Sequence, residues 1–100
     1  GKITDNKITV CKKYGISIEK STASNILSNT VSKCNINGIH IWDKSTVKNI
    51  QKNKVSSCKK RGIYVGGKSK VTNITGNSLK SCKQKIFINK DSKVKKAQKK

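Results

Sequence analysis

Apolar and polar residues alternate in short blocks along this chain, and the blocks recur. Gly15-Ile16-Ser17-Ile18, Gly38-Ile39-His40-Ile41 and Gly62-Ile63-Tyr64-Val65 each show the period of two that marks a half-buried strand. Cys11, Cys34, Cys58 and Cys82 are spaced by 23, 24 and 24 residues, and Asn6, Asn29, Asn53 and Asn77 keep the same steps. Aligned on these markers, the chain falls into coils 6–28, 29–52, 53–76 and 77–99. One-residue deletions are read after Ile18 and before Lys85.

Stacking the units produces six apolar columns. They are Ile8/Val31/Val55/Leu79, Cys11/Cys34/Cys58/Cys82, Ile16/Ile39/Ile63/Ile86, Ile18/Ile41/Val65/Ile88, Ala23/Val47/Val71/Val94 and Ile26/Ile50/Ile74/Ala97. No lysine enters any of them, although the chain holds 24 Lys and Arg. β-Branched residues dominate the columns, which suits strands. No apolar stripe of helical period is long enough for a helix. Gly, Asn and Ser mark the corners, where positive φ or local side-chain hydrogen bonding is needed. Each unit predicts three short strands and three tight corners. A single coil cannot bury its own apolar edge, but coils stacked about 4.8 Å apart form one continuous interior.

The pattern N-x-[IV]-x-x-C-x-x-x-G-I-x-[IV] followed by S-x-[AV]-x-N-I-x-x-N resembles the right-handed parallel β-helix repeat of the pectin-lyase-like superfamily. The resemblance covers essentially the whole chain and rests on structural residues, so it speaks to fold more than to activity. It implies an all-β solenoid of about four coils, forming a single partial β-helix domain over 1–100 with a basic tail at 93–100 that is expected to fray. The leucine-rich repeat is the rival. Ile50-x-x-Asn53-x-Val55 fits part of its motif, but Ser45 and Lys48 occupy its earlier leucine positions.

Composition alone would point elsewhere. A formal charge of +20 with 32% hydrophobic residues matches a disordered basic chain, and only the order of the residues overturns that reading. No apolar run approaches the length of a membrane span, and no signal peptide is visible. Because the chain opens on Gly1 inside a repeat, it is expected to be a piece of a longer protein. The resemblance implies an extracellular or cell-surface location.

The cysteines are too far apart in sequence for a local metal motif, and no metal site is expected. In a stack they form an interior column of small apolar thiols. The spacing does not exclude a disulfide on distance alone. Asn6, Asn29, Asn53 and Asn77 are read as a structural ladder, since an amide both donates and accepts.

Candidate chemistry collects on one face. Between the paired isoleucines, the outward column is Ser17, His40, Tyr64 and Phe87, and the next position holds Glu19, Trp42, Gly66 and Asn89. Tyr14 and Arg61 lie at the strand entry, and Asp43 lies just beyond Trp42. The resemblance makes this sheet the wall of a polysaccharide cleft. His40, Trp42, Tyr64, Phe87, Arg61, Glu19 and Asp43 are therefore the candidate carbohydrate-binding residues. An exposed aromatic row flanked by cations suits a sugar acid, although the rings could also serve only to stack on one another.

Catalysis is not expected from these residues. Glycoside hydrolysis needs two carboxylates at a set separation, and the only acids are Asp5, Glu19, Asp43 and Asp91. If the parent is an enzyme, the resemblance implies a polysaccharide lyase, epimerase or glycoside hydrolase, with calcium as a cofactor of the parent and none here. The expected partner is acidic polysaccharide. The alternative is a non-catalytic, adhesin-like surface module that binds polyanions through its charge. Nucleic acid shares the electrostatics but lacks a recognisable motif here.

Overall fold

The structure is a computed structural model, and it describes residues 1–98. Lys99, the last residue of the fourth predicted coil, and Lys100, the end of the basic tail, lie outside the described residues. Strand β1 (Lys2–Thr4) is followed by β2 (Lys7–Cys11), β3 (Tyr14–Glu19) and β4 (Thr22–Leu27). The second triplet is β5 (Thr30–Cys34), β6 (Asn37–Trp42) and β7 (Thr46–Gln51). The third is β8 (Lys54–Cys58), β9 (Arg61–Val65) and β10 (Lys70–Thr75). The last is β11 (Ser78–Lys80), β12 (Gln84–Ile88) and β13 (Lys93–Ala97). Among the described residues there is no helix, and so none long and apolar enough to cross a membrane.

Every strand pairs in parallel with its equivalent one coil away. The three sheets run β1-β4-β7-β10-β13, β11-β8-β5-β2 and β12-β9-β6-β3. Ile16 pairs with Ile39 and Ile39 with Ile63; Cys11 pairs with Cys34 and Cys34 with Cys58. This is a parallel β-solenoid of about four coils, the all-β architecture that the repeat predicts. Ile26, Ile39, Ile41, Ile50, Ile63 and Ile74 are fully buried, and Val47 and Val71 lie in the same core. Ile8, Ile86, Ile88 and Val94, in the outer coils, are only partly covered.

Register depends on polar ladders as well as apolar columns. The Oδ1 of Asn53 accepts both the backbone N–H and the side-chain amide of Asn29, each at 2.9 Å. Asn53 Nδ2 in turn donates to the Ile26 carbonyl and to Asn77 Oδ1, both at 2.9 Å. Asn6 repeats the arrangement on Asn29, and Asn77 finds Gln98 Oε1 where another asparagine would stand. A second ladder runs from Ser21 through Ser45 and Ser69 to Ser92, each backbone N–H donating to the next serine hydroxyl at 3.0–3.2 Å. These serines recur at 24, 24 and 23 residues and open the S-x-[AV] half of the repeat.

The corners differ from expectation in two ways. Glu19 still pairs with Trp42, and Ser21 takes the place of Ser45. The first deletion therefore falls at Lys20, one residue later than read. Gln84 pairs with Arg61, which puts the second deletion before Gln84 rather than before Lys85. Left-handed backbone is also not reserved for Gly, Asn and Ser: Lys20, Lys44, Lys52 and Lys68 take φ of 50–62°. Lys52 shares its column with Gly76 at φ 70°, so the coil path imposes the conformation whatever residue occupies it.

Gly38 has a different function. A Cβ there would meet the Gly62 carbonyl at 2.8 Å and Cys58 Sγ at 3.1 Å. The glycine leaves room for the next coil to approach.

Asn53→Ala is expected to destabilise the fold by about 3 kcal/mol, because it strands a buried N–H and a buried carbonyl together. Urea unfolding followed by circular dichroism measures this, and an unchanged midpoint would contradict the ladder's role.

Candidate functional site

The outer face of the β3-β6-β9-β12 sheet carries a continuous stack of rings. His40 lies 3.8 Å from Tyr14 and 5.0 Å from Tyr64, centroid to centroid, with both interplanar angles 11°. Tyr64 continues onto Phe87 at 5.7 Å and 7°. The stack follows from the sheet: His40 pairs with Tyr64 and Tyr64 with Phe87, so in-register parallel strands set flat side chains face to face. Trp42 stands beside the stack, 5.9 Å from His40 and 5.8 Å from Tyr64.

The expected exposed row is largely covered by its own members. His40 and Tyr64 are each only 8% exposed, whereas Trp42 is 38% exposed. Tyr64 folds back over Gly66, and the Trp42 ring lies against Gly67. A side chain at Gly66 would collide with the Tyr64 ring, and one at Gly67 would strike the Asp43 backbone and crowd the Trp42 ring. Arg61 closes the other side. Its guanidinium sits 4.4 Å from the Phe87 centroid and 5.4 Å from that of Tyr64, and its Nε donates to Gln84 Oε1 at 2.9 Å.

Asn37 sets the tautomer of His40. The Asn37 Oδ1 accepts the Arg61 backbone N–H at 3.2 Å. Its Nδ2 therefore faces His40 Nδ1, 3.0 Å away, and donates to it. The histidine is neutral, with its proton on Nε2. Burial lowers its pKa from 6.5 to about 4. Asn37 is itself 1% exposed. The column reading passed over it because its register partners, Tyr14 and Arg61, share no chemistry with it.

A shallow cleft of about 430 Å³ opens along this face, lined by Tyr14, Ser17, Glu19, Ile36, Asn37, His40, Trp42, Lys60, Arg61 and Tyr64. It gathers five of the seven candidate residues: His40, Trp42, Tyr64, Arg61 and Glu19. Phe87 reaches it only through Tyr64 and Arg61. Asp43 faces away into an ion pair with Lys20 at 3.7 Å, the sole salt bridge among the described residues. Glu19 is thus the only carboxylate in the cleft lining, and the two-carboxylate arrangement for glycoside hydrolysis is not formed there. Lys60, Ile36 and Asn37 join the site without having been singled out in the sequence.

The four cysteines are free, with Cys11, Cys34 and Cys58 buried and Cys82 partly covered. Burial, followed by contact with Cys82, pushes the Cys58 thiol up to about 12. Burial, then contact with Cys11 and Cys58, raises Cys34 as well. At neutral pH both are protonated. Among the described residues no group of three or more His, Cys, Asp or Glu gathers to hold a metal ion.

The buried neutral histidine has a pH signature. In the unfolded chain His40 takes up a proton near pH 6.5, whereas in the fold it does so only near 4. Stability is therefore expected to fall as pH drops from about 6.5 towards 4. His40→Gln should flatten that slope in denaturant titrations; equal slopes in both proteins would show the imidazole to be solvated.

No curated protein and no solved structure matches the chain. The family model described as "Periplasmic copper-binding protein (NosD)" matches residues 1–98. Its periplasmic description agrees with the expected location outside the cytoplasm. The match spans all the described coils, and the chain belongs to the NosD family of parallel β-helix proteins.

Proposed function

We propose that this chain is a non-catalytic binding module of a periplasmic β-helix protein, and that it takes acidic polysaccharide in the cleft beside Trp42. The observation that carries this reading is the ring stack with the exposed indole of Trp42 beside it, in a cleft that Arg61 and Lys60 also line. Stacked neighbours hold the rings in place, so little rotamer entropy is lost when a sugar face packs on Trp42. The cations pair with uronate carboxylates, and the +20 charge draws a polyanion towards the face. The alternative, an adhesin-like module working through charge alone, makes no use of the cleft.

The family description also names copper, and the residues answer differently for its two oxidation states. Copper(II) favours imidazole and oxygen donors in a tetragonal set. The only histidine here has Nδ1 bonded to Asn37 and its ring between two tyrosines, and no three-ligand group is present among the described residues. Thiols are the soft donors that copper(I) takes, but Cys34 and Cys58 are buried and protonated, and no three of the cysteines gather among the described residues.

The polysaccharide reading is tested by calorimetry with polygalacturonate. Binding should weaken steeply with added salt, and Trp42→Ala should weaken it about tenfold, the scale of one well-packed aromatic contact. Binding that ignores Trp42→Ala but still falls with salt leaves only the charge-driven alternative. Binding that ignores salt overturns both readings.

A further inference from the structure

The cleft on the ring face is polarised: Lys60 and Arg61 line one part of it and Glu19 another. Glu19 pairs in register with Trp42 and is exposed. Its carboxylate takes no part in the sole salt bridge among the described residues, which joins Lys20 to Asp43. In a chain of +20 formal charge, this acid is left without a protein cation. A carboxylate accepts hydrogen bonds and donates none, and it repels a second carboxylate placed beside it.

The cationic end lies elsewhere along the coil axis. The Arg61 guanidinium sits over Tyr64 and Phe87, rings carried by β9 and β12, whereas Glu19 is the last residue of β3. The sheet runs β12-β9-β6-β3, so at least two strand spacings, about 10 Å, separate the ends. That exceeds the length of one pyranose ring. Gln84 holds Arg61 Nε, which leaves the two Nη groups for a ligand carboxylate. The sugar beside Glu19 and the sugar beside Arg61 are therefore different units of one bound chain.

Near Glu19 stand a flat apolar surface and a fixed donor. Trp42 is 38% exposed. His40 has Nδ1 committed to Asn37, and its Nε2–H has no protein partner. Every fully covered side-chain N or O among the described residues has one, so this donor is open to the cleft that His40 lines. The Trp42 end thus fits a neutral group with an N–H for Glu19, a carbonyl for His40 and a methyl for the indole. An acetamido group has all three. A uronate carboxylate offers the acceptor but meets Glu19 with like charge.

Given that the cleft takes acidic polysaccharide, on which this inference rests, we infer that the ligand is an acidic heteroglycan in which a uronate alternates with an N-acetylated hexosamine. The uronate lies at Arg61 and Lys60, and the hexosamine lies on Trp42 between His40 and Glu19. A polyuronate carries a carboxylate on every unit and so brings one to Glu19.

The test is calorimetry at one salt concentration with two oligomers matched in carboxylate number: hyaluronan, which alternates glucuronate with N-acetylglucosamine, and polygalacturonate. Hyaluronan should bind about tenfold tighter, the scale of one added hydrogen bond plus one avoided like-charge contact. Glu19→Gln should shrink that ratio about threefold, the scale of one exposed charge contact. Asp5→Asn makes the same change in net charge between β1 and β2, away from the cleft, and should not move the ratio. The chain has one tryptophan, so nuclear Overhauser contacts from its indole are unambiguous, and they should reach the acetamido methyl of hyaluronan. Equal binding of the two oligomers, a preference for polygalacturonate, a ratio that Glu19→Gln leaves unmoved or Asp5→Asn moves equally, or indole contacts to the uronate alone overturns the inference and leaves the acidic-polysaccharide reading standing. Binding of neither oligomer overturns both.

Discussion

In-register parallel pairing is the constraint on which the rest of this molecule depends. Each residue lies above its equivalent one coil away, about 4.8 Å distant, so any choice made in one coil is repeated through the stack. Isoleucine above isoleucine gains contact at every step. A charge in the same place would meet its own kind in a dry interior. The exclusion of lysine from the six columns follows from that repetition as much as from burial.

The outer surface obeys the same rule with a different solution. Lys7, Thr30, Lys54 and Ser78 occupy one column, so lysine alternates with a hydroxyl. Like charges there stand two coils apart, close to the screening length of about 8 Å at physiological ionic strength. Lys70 and Lys93 break the pattern by pairing directly. Amides and hydroxyls tolerate direct stacking because they donate and accept at once. The asparagine and serine ladders can therefore run unbroken, while cations are interspersed.

The ring stack shows how this constraint shapes a binding face. A histidine between two tyrosines cannot stay charged without solvent, so the site holds a neutral imidazole with one nitrogen committed to Asn37. The rings satisfy one another, and only the Trp42 edge and the cleft beside it remain for a ligand. Pre-ordering and self-coverage are two results of the same stacking: it makes the face rigid and also narrows what the face can touch.

The one-dimensional repeat by itself determined the coil length, the six interior columns, the pairing of cysteine with cysteine and the side of the sheet on which His40, Tyr64 and Phe87 emerge. Periodicity is a property of the chain, and in a solenoid it maps directly onto neighbours. Tertiary structure decided how far the rings cover one another, that Asp43 turns to Lys20, that Asn37 holds His40, and where each deletion is absorbed. Those outcomes depend on side-chain reach across coils and on backbone path at corners. There, lysines take left-handed φ because closure of the coil outweighs the preference of any single residue.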